Sequence, residues 1–373
     1  MKKGWEYKNF TKCLKKVPKQ PQIKSKDYKT VGVFPIVSQE AELISGYCDN
    51  ENFVYRHNKP IIIFGDHTKN IKYIDFDFIT GADGTHILYP IDSIDSKYFY
   101  YVLKSIKLRN LGYARHFKLL KEKDIPIPPL SEQKEIVEYL DSSFAKIDKL
   151  KENAAKNLEE AKALFQSALK DALEPKEGWE EKILKDICTH IVDCPHSTPP
   201  KSDTPTEYPF IRTSDLKQGK ISWDVMQYVS KEEYHKRNAR ITPQKNDIIY
   251  GREGTFGDAA LLPEYPYFCL GQRVVLLRSN IEIVNPEFLL YTVISPFVYS
   301  QAKNKNMGCG VGHVNVADIK RFKMFIPPLS EQQEIVSRLD SLNEKVNTLQ
   351  QNYSRICSEC DALKQAILRQ VFE

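Results

Sequence analysis

Seven residues, Ile-Pro-Pro-Leu-Ser-Glu-Gln, stand at 127–133 and again, unchanged, at 326–332. The copies extend without a gap from Ile127 to Glu174 and from Ile326 to Glu373, with 22 of 48 positions identical. Gly4-Trp5-Glu6 and Gly178-Trp179-Glu180 open the two stretches that precede these copies. An internal repeat of this period means that one structural plan is used twice. The chain therefore reads as two tandem halves. Each runs from Gly-Trp-Glu through a variable body (1–127 and 178–326) to a shared tail (128–177 and 327–373).

Each tail reads as one long helix. Proline disfavours a helical residue just before it, so helix begins after the Pro-Pro pair. Ser131 and Ser330 are placed to act as N-caps, with Gln333 able to close a capping box and Lys134 not. Beyond that point neither tail contains Gly or Pro until Pro175 or the last residue. In the second tail Ile335, Leu339, Leu342, Val346, Leu349, Tyr353, Ile356, Cys360, Leu363 and Ile367 follow the alternating four-and-three spacing of a heptad seam. The first tail keeps the same register less cleanly through Ile136, Leu140, Ser143, Ile147, Leu150, Ala154, Asn157, Ala161, Leu164 and Ala168. Two matched heptad helices with a whole body between them predict an antiparallel coiled coil.

The bodies read as mixed α/β. Residues 59–90 predict strands broken by turns at Gly65-Asp66 and at 81–84, and residues 246–280 repeat the plan, with Phe64-Gly65 matching Tyr250-Gly251. Helices are expected at 97–107 and 286–301. Polar loops at 109–120 and 303–320 then lead into the tails. The 373 residues suffice for two domains. No apolar run nears the roughly 20 residues of a membrane helix, and no signal-peptide core follows the N-terminus. The chain is thus expected to be cytoplasmic, with its eight cysteines as free thiols. The net charge is +5. Lys and Arg outnumber Asp and Glu by 22 to 14 in residues 1–126 and by 19 to 17 in 178–326, whereas the tails are acidic. Basic bodies joined by acidic tails suggest a polyanion at the bodies and another partner at the tails.

The twice-used Ile-Pro-Pro-Leu-Ser-Glu-Gln opening a long helix, the paired Gly-Trp-Glu, Asp-Cys-Pro-His-Ser-Thr-Pro at 193–199 and Phe-Gly-Asp-His-Thr at 64–68 together closely resemble the specificity subunit of type I restriction–modification enzymes. The resemblance covers essentially the whole chain. It implies two target-recognition domains, each reading one half of a split double-stranded DNA sequence, held apart by two antiparallel helices. Those helices would dock two methyltransferase (modification) subunits, and restriction subunits would complete the enzyme. One departure is that Gly-Trp-Glu comes almost first, without the longer N-terminal segment that some members carry.

The chain itself shows no catalytic signature. It has no Gly-x-x-x-x-Gly-Lys-Ser/Thr loop and no Asn/Asp-Pro-Pro-Tyr/Phe tetrapeptide of an amino-methyltransferase. The glycine-rich run 308–313 lacks the flanking strand and helix of a cofactor loop. Cys188, His190, Cys194 and His196 are spaced too tightly for paired zinc ligands, and Cys357 and Cys360 lie in the tail helix. The chain is therefore expected to be non-catalytic, without cofactor or metal. Two other readings are a stand-alone coiled-coil scaffold that binds only protein, and a DNA methyltransferase with a fused recognition domain. The second would need the missing motifs.

Reading DNA takes Lys or Arg on phosphates and Arg, Asn, Gln or His on base edges, carried by loops that vary without harming the core. In the first body these are His67, Thr68, Lys69, Lys72 and His86, then Arg109, Arg115, His116 and Lys118. In the second they are His196, Ser197 and Thr198, Arg212 and Thr213, Arg252 and Thr255, Gln272 and Arg273, and Lys303, Lys305, His313 and Asn315. Arg115 and Arg252 stand out because both lie in glycine-flanked loops with few acidic neighbours.

Overall fold

The structure is a computed structural model. It describes all residues except 1–3, 19, 83, 110, 111, 113, 218, 255 and 306–311. The chain divides into two compact units, Met1–Ala155 with Tyr353–Glu373, and Lys156–Asn352.

In the first unit the strand after Gly-Trp-Glu, Glu6–Asn9, pairs antiparallel with Asp124–Ile127, the strand that leads into the tail. Ile61–Gly65 is the centre of a three-stranded antiparallel sheet between Ile71–Ile74 and Thr85–Leu88. Its uninterrupted apolar run is buried at all five positions, because both faces are covered. A second, mixed sheet is built around Phe78–Gly81, which runs parallel to Phe34–Val37 and Gln22–Ile23. The helix Ser96–Ser105, capped by the Asp95 carboxylate, closes a core of Phe10, Phe64, Tyr98, Phe99, Leu120 and Ile125. Leu140 of the first tail helix and Leu368 and Phe372 of the second complete that core.

The second unit repeats the plan. Glu180–Ile183 pairs antiparallel with Lys323–Ile326. Cys188–Asp193, Val274–Ser279, Ile248–Gly251 and Ala259–Leu261 form a four-stranded antiparallel sheet in that order. Pro209–Ile211 lies between Gln227–Tyr228 and Cys269–Leu270 in a smaller sheet. The helix expected over 286–301 is two helices, Pro286–Val293 and Pro296–Lys305. Pro296 supplies no N–H to continue the first, so it begins the second. The helix Lys231–Arg237, with Ser230 as N-cap, was not expected at all.

The tails are helices of 43 and 44 residues, Leu130–Ala172 and Leu329–Phe372. Each starts two residues earlier than an N-cap at Ser131 or Ser330 would give, so both serines sit in the first turn instead of capping it. In the first unit Lys151 meets Asp361 at 2.8 Å and Lys364 meets Asp148, so the two helices run antiparallel. These exposed ion pairs set direction more than they add stability. In the second unit Phe165 and Leu169 join Ile335, Leu339 and Val346 in one core.

The repeated Glu-Gln has a structural explanation. Trp5 Nε1 donates to Glu132 at 2.8 Å, and Trp179 Nε1 to Glu331 at 3.1 Å. Gln133 and Gln332 are wholly buried. Gln133 Oε1 accepts from Asp95 N (2.8 Å), while its Nε2 donates to the Ser93 and Pro128 carbonyls. Gln332 Oε1 accepts from Asn285 N (2.8 Å), and its Nε2 donates to the Ile283 and Pro327 carbonyls. Asp95 and Asn285 are themselves the N-caps of Ser96–Ser105 and Pro286–Val293. One glutamate and one glutamine per repeat therefore join the tail helix, the first strand and the body helix. A Tyr–Asp pair ties the same two helices together about two turns further along the tail: Tyr101 to Asp141 (2.5 Å) and Tyr291 to Asp340 (2.6 Å). Gln333 bonds the Asn285 side chain instead of closing a capping box.

Of the seam residues, the structure buries Leu140, Ile147, Ala168, Ile335, Leu339, Val346 and Cys360, and half-buries others, among them Ile136, Leu342, Tyr353, Ile356 and Ile367. Leu150, Leu164, Leu349 and Leu363 are exposed, whereas Leu158, Leu169, Val336 and Leu368 are buried in addition. A straight helix repeats every 3.6 residues, not 3.5, so a seam counted in strict heptads drifts off the buried face over this length.

Candidate nucleic-acid interface

In both units the chain leaves a buried strand at a glycine, and the next residue is held in the same way. In the first unit that residue is Asp66. Its N–H donates to the Gly84 carbonyl at 2.7 Å, and its carbonyl accepts from His116 N–H at 2.8 Å. In the second it is Arg252. Its N–H donates to the Arg273 carbonyl at 3.0 Å, and its carbonyl accepts from Val314 N–H at 2.8 Å. Gly84 and Arg273 both precede the next strand of the sheet and both have positive φ, +76° and +69°. Each main-chain clasp gathers three loops: the one after the central strand, the one before the next strand, and the one leading towards the tail.

The side chains above the clasp differ. Asp66 is buried and accepts from Phe117 N–H at 2.8 Å, at the start of the helix Phe117–Lys121. Its other oxygen lies 3.3 Å from His86 Nε2 and 4.0 Å from Arg115 Nε. Burial alone would raise the Asp66 pKa, but the Phe117 N–H and the neighbouring His86 and His67 outweigh it and hold the carboxyl below its ordinary value. His86 stacks on Phe117 with ring centroids 3.9 Å apart. Gln39 fixes the adjoining turn: its Oε1 accepts from His67 N, and its carbonyl accepts from Thr68 Oγ1 (2.6 Å) and Asn70 Nδ2 (2.9 Å). A Cβ at Gly65 would stand 2.3 Å from Thr68 Oγ1, so the turn needs glycine there.

In the second unit Arg252 is itself buried, with its guanidinium 3.1 Å from Asp193 and 3.4 Å from ring nitrogens of His196 and His313. The Asp193 contact is an ion pair bent too far for a hydrogen bond. Asp193 also lies 3.3 Å from His196 Nε2. Glu253 faces Arg273 at 3.3 Å and His313 at 3.8 Å. Gln272 Nε2 donates to the His196 carbonyl (2.7 Å), and its Oε1 accepts from Thr198 Oγ1 (3.0 Å).

The residues chosen from sequence therefore fall into several groups. Thr68, Arg109, Arg115 and Lys118 are exposed in the first unit, and His67, Lys69 and His86 are half-buried beside them. His196, Ser197, Thr198, Arg273, Lys303 and Asn315 are exposed in the second, with Thr213, Gln272 and His313 half-buried. Lys72 turns inward, its ammonium on the Glu42 carbonyl and its pKa lowered by desolvation. His116 is wholly buried with Nδ1 at the Asp66 carbonyl. Arg212 is locked on buried Asp215 through two bonds of 2.8 and 2.9 Å and on the Val225 carbonyl. Thr255 and the Lys305 side chain lie outside the described residues. Lys72, His116, Arg212 and Arg252 thus support the loops from beneath. The sequence does not reveal this, because the partners of Lys72, His116 and Arg252 are 30 or more residues away, and Lys72, His116 and Arg212 each bond a backbone carbonyl. Asp66, Asp193, Gln39 and Arg237 were missed for the same reason. Of the cysteines near His196, Cys194 is in the core and burial pushes the Cys188 thiol up to about 12.

Among the described residues no helix is long and apolar enough to cross a membrane. A family model described as the type I restriction modification DNA specificity domain matches this chain twice, over residues 2–160 and 176–356. The specificity subunit of type I restriction enzyme EcoBI from Escherichia coli is 24% identical over 319 residues, 75% of this chain and 66% of that protein. That of EcoKI, from Escherichia coli K12, is 26% identical over 271 residues, 67% of this chain and 57% of that protein. The matched region thus spans less than two thirds of each of these two relatives. That of EcoR124I/EcoR124II is 25% identical over 363 residues, 91% and 86% of the two chains. Two solved structures share the fold at 18% identity over the whole of this chain. One, from work on complex assembly and conformational transition of a type I R-M system, has a TM-score of 0.70 with 98% of that chain covered. The other, the HsdS subunit from Thermoanaerobacter tengcongensis, has a TM-score of 0.51 with 97% covered.

Proposed function

The chain belongs to the type I restriction modification DNA specificity family, and from that premise we propose that it is the non-catalytic specificity subunit of a cytoplasmic restriction–modification complex. It reads a bipartite duplex target, one half-site per body, with residues 1–127 and 178–326 as the two recognition domains. The tails, 128–177 and 327–373, dock two methyltransferase subunits, and restriction subunits join the full assembly. Arg115 and Lys118 in the first body, and His196, Ser197, Thr198, Arg273 and Asn315 in the second, meet the DNA. The leucines left open on the tail helices, Leu150, Leu349 and Leu363, offer apolar contact to the partner subunits.

The observation that carries this reading is duplication at two levels. The family match occurs twice, and each matched region holds the same main-chain clasp beneath exposed polar loops. A scaffold that bound only protein would have no use for two such loop clusters on basic bodies. Mapping methylated bases in host DNA with and without this gene, beside its methyltransferase partner, tests the proposal. A bipartite motif that appears only with the gene is expected. An unchanged methylation map, together with no salt-dependent retardation of duplex DNA, would overturn it.

A further inference from the structure

The helix Lys231–Arg237 carries a charged residue that the reading above leaves without a role. Arg237 is buried, its side chain only 1% exposed. A buried guanidinium is costly unless its donors are met. Here they are met largely by backbone carbonyls of two loops. Nε donates to the Leu270 carbonyl at 2.6 Å and Nη2 to the Gly271 carbonyl at 3.0 Å. Nη1 and Nη2 each lie 3.3 Å from the Ser197 carbonyl, and Nη2 is 3.4 Å from that of Pro195. Glu233, one turn earlier, supplies the countercharge at 3.3 Å. The first loop continues into Gln272 and Arg273; the second carries His196, Ser197 and Thr198. These loops hold most of the polar side chains proposed to meet the second half-site.

The fit is specific to arginine. Its planar fork reaches carbonyls on both loops at once, whereas the single ammonium of lysine reaches only some of them. The receiving loop is tightly built: a Cβ at Gly271 would stand 2.5 Å from the Ile211 carbonyl, and Gly271 N–H donates to that same oxygen at 2.8 Å. We infer that Arg237 is a specificity-positioning residue. It touches no DNA, and it fixes the 195–198 and 270–273 loops in one mutual arrangement so that their side chains match the bases of the second half-site. This rests on the proposed DNA-reading function and adds a residue and a mechanism to it.

The test uses the full chain with its methyltransferase partner and the variant Arg237→Lys, which keeps charge and most of the volume. Affinity is measured for the cognate duplex and for duplexes altered in one half-site or the other, at two salt concentrations. Hydrogen exchange is followed in the same preparations. Discrimination at the second half-site should fall about tenfold or more, the scale of one or two well-placed base contacts. Discrimination at the first half-site, non-specific affinity and its salt dependence should not change. Exchange should quicken at 195–198 and 270–273 together, and remain slow in Ile248–Gly251. Unaltered discrimination, or equal losses at both half-sites, would overturn the inference. If Arg237→Lys does not fold, Glu233→Gln, which loosens the guanidinium without removing it, should shift the same readouts by a few fold; unchanged exchange at both loops would then overturn it. A wild-type complex without sequence preference would overturn the proposed function, and the exchange data would still decide whether Arg237 holds the two loops.

Discussion

Replacing Gln133 or Gln332 with leucine is the most direct way to weigh the join between tail and body. Leucine is close to glutamine in volume, so little is lost in packing. What is lost is an amide that makes three bonds. In Gln133 these are the 2.8 Å bond from Asp95 N, the 3.1 Å bond to the Ser93 carbonyl and the 2.8 Å bond to the Pro128 carbonyl, the last fully buried. A buried partner left without a hydrogen bond costs about 1–3 kcal/mol, and a half-buried one about 1 kcal/mol. The orphaned groups together cost about 3–5 kcal/mol, and burial of leucine returns about 1 kcal/mol. The net is about 2–4 kcal/mol for Gln133→Leu, and the same for Gln332→Leu, whose three bonds have matching partners and lengths. The two units need not unfold together, so the assay is urea denaturation read by hydrogen exchange on peptides from each unit. Gln133→Leu should loosen peptides around Ser96–Ser105, and Gln332→Leu those around Pro286–Val293. A loss below about 1 kcal/mol for both variants would refute the view that the repeated glutamine is the structural join.

Further expectations follow from the same contacts. Asp66→Asn should remove part of the stability at neutral pH; because the folded carboxyl titrates below its ordinary value, the difference from wild type should persist above about pH 4 and shrink as acid protonates the native carboxylate, which an acid series of thermal melts would check. Leu339→Asp places a carboxylate in a wholly buried site and should cost more than about 3 kcal/mol of second-unit stability. Leu349→Asp, on an exposed position, should shift the melting temperature little yet reduce co-purification with the methyltransferase subunit, and equal melting losses in the two variants would contradict the burial difference. Arg115→Ala should lower affinity uniformly across duplex sequences and reduce the salt slope by about one, read from mobility shifts at several salt concentrations.

What could be read from sequence was what repeats or alternates. The duplicated 48 residues gave away both tail helices, and the apolar runs around Gly65 and Gly251 gave the central strands, because periodicity and turn chemistry are local properties. Side-chain partnership is not local. Gln133 meets groups 5 to 40 residues away, and Arg237 meets carbonyls 33 to 42 residues away, so neither role has a signature in the chain. Arg252 drew notice for its glycine neighbours and scarcity of nearby acids in sequence, yet in space it lies against Asp193. A seam of strict heptads strays at Leu150, Leu164, Leu349 and Leu363, where a straight helix turns those positions outward.

The clasp after Gly65 and Gly251 is made from peptide groups alone, and every residue but proline carries the same N–H and C=O. Its geometry is therefore indifferent to the side chain it holds. The chain itself demonstrates this tolerance, with an acid at 66 and a base at 252 on the same pair of main-chain bonds. A lineage can thus invert the charge beneath its loops in one codon change without rebuilding the sheet, and whatever those loops recognise can diversify while the framework underneath stays constant.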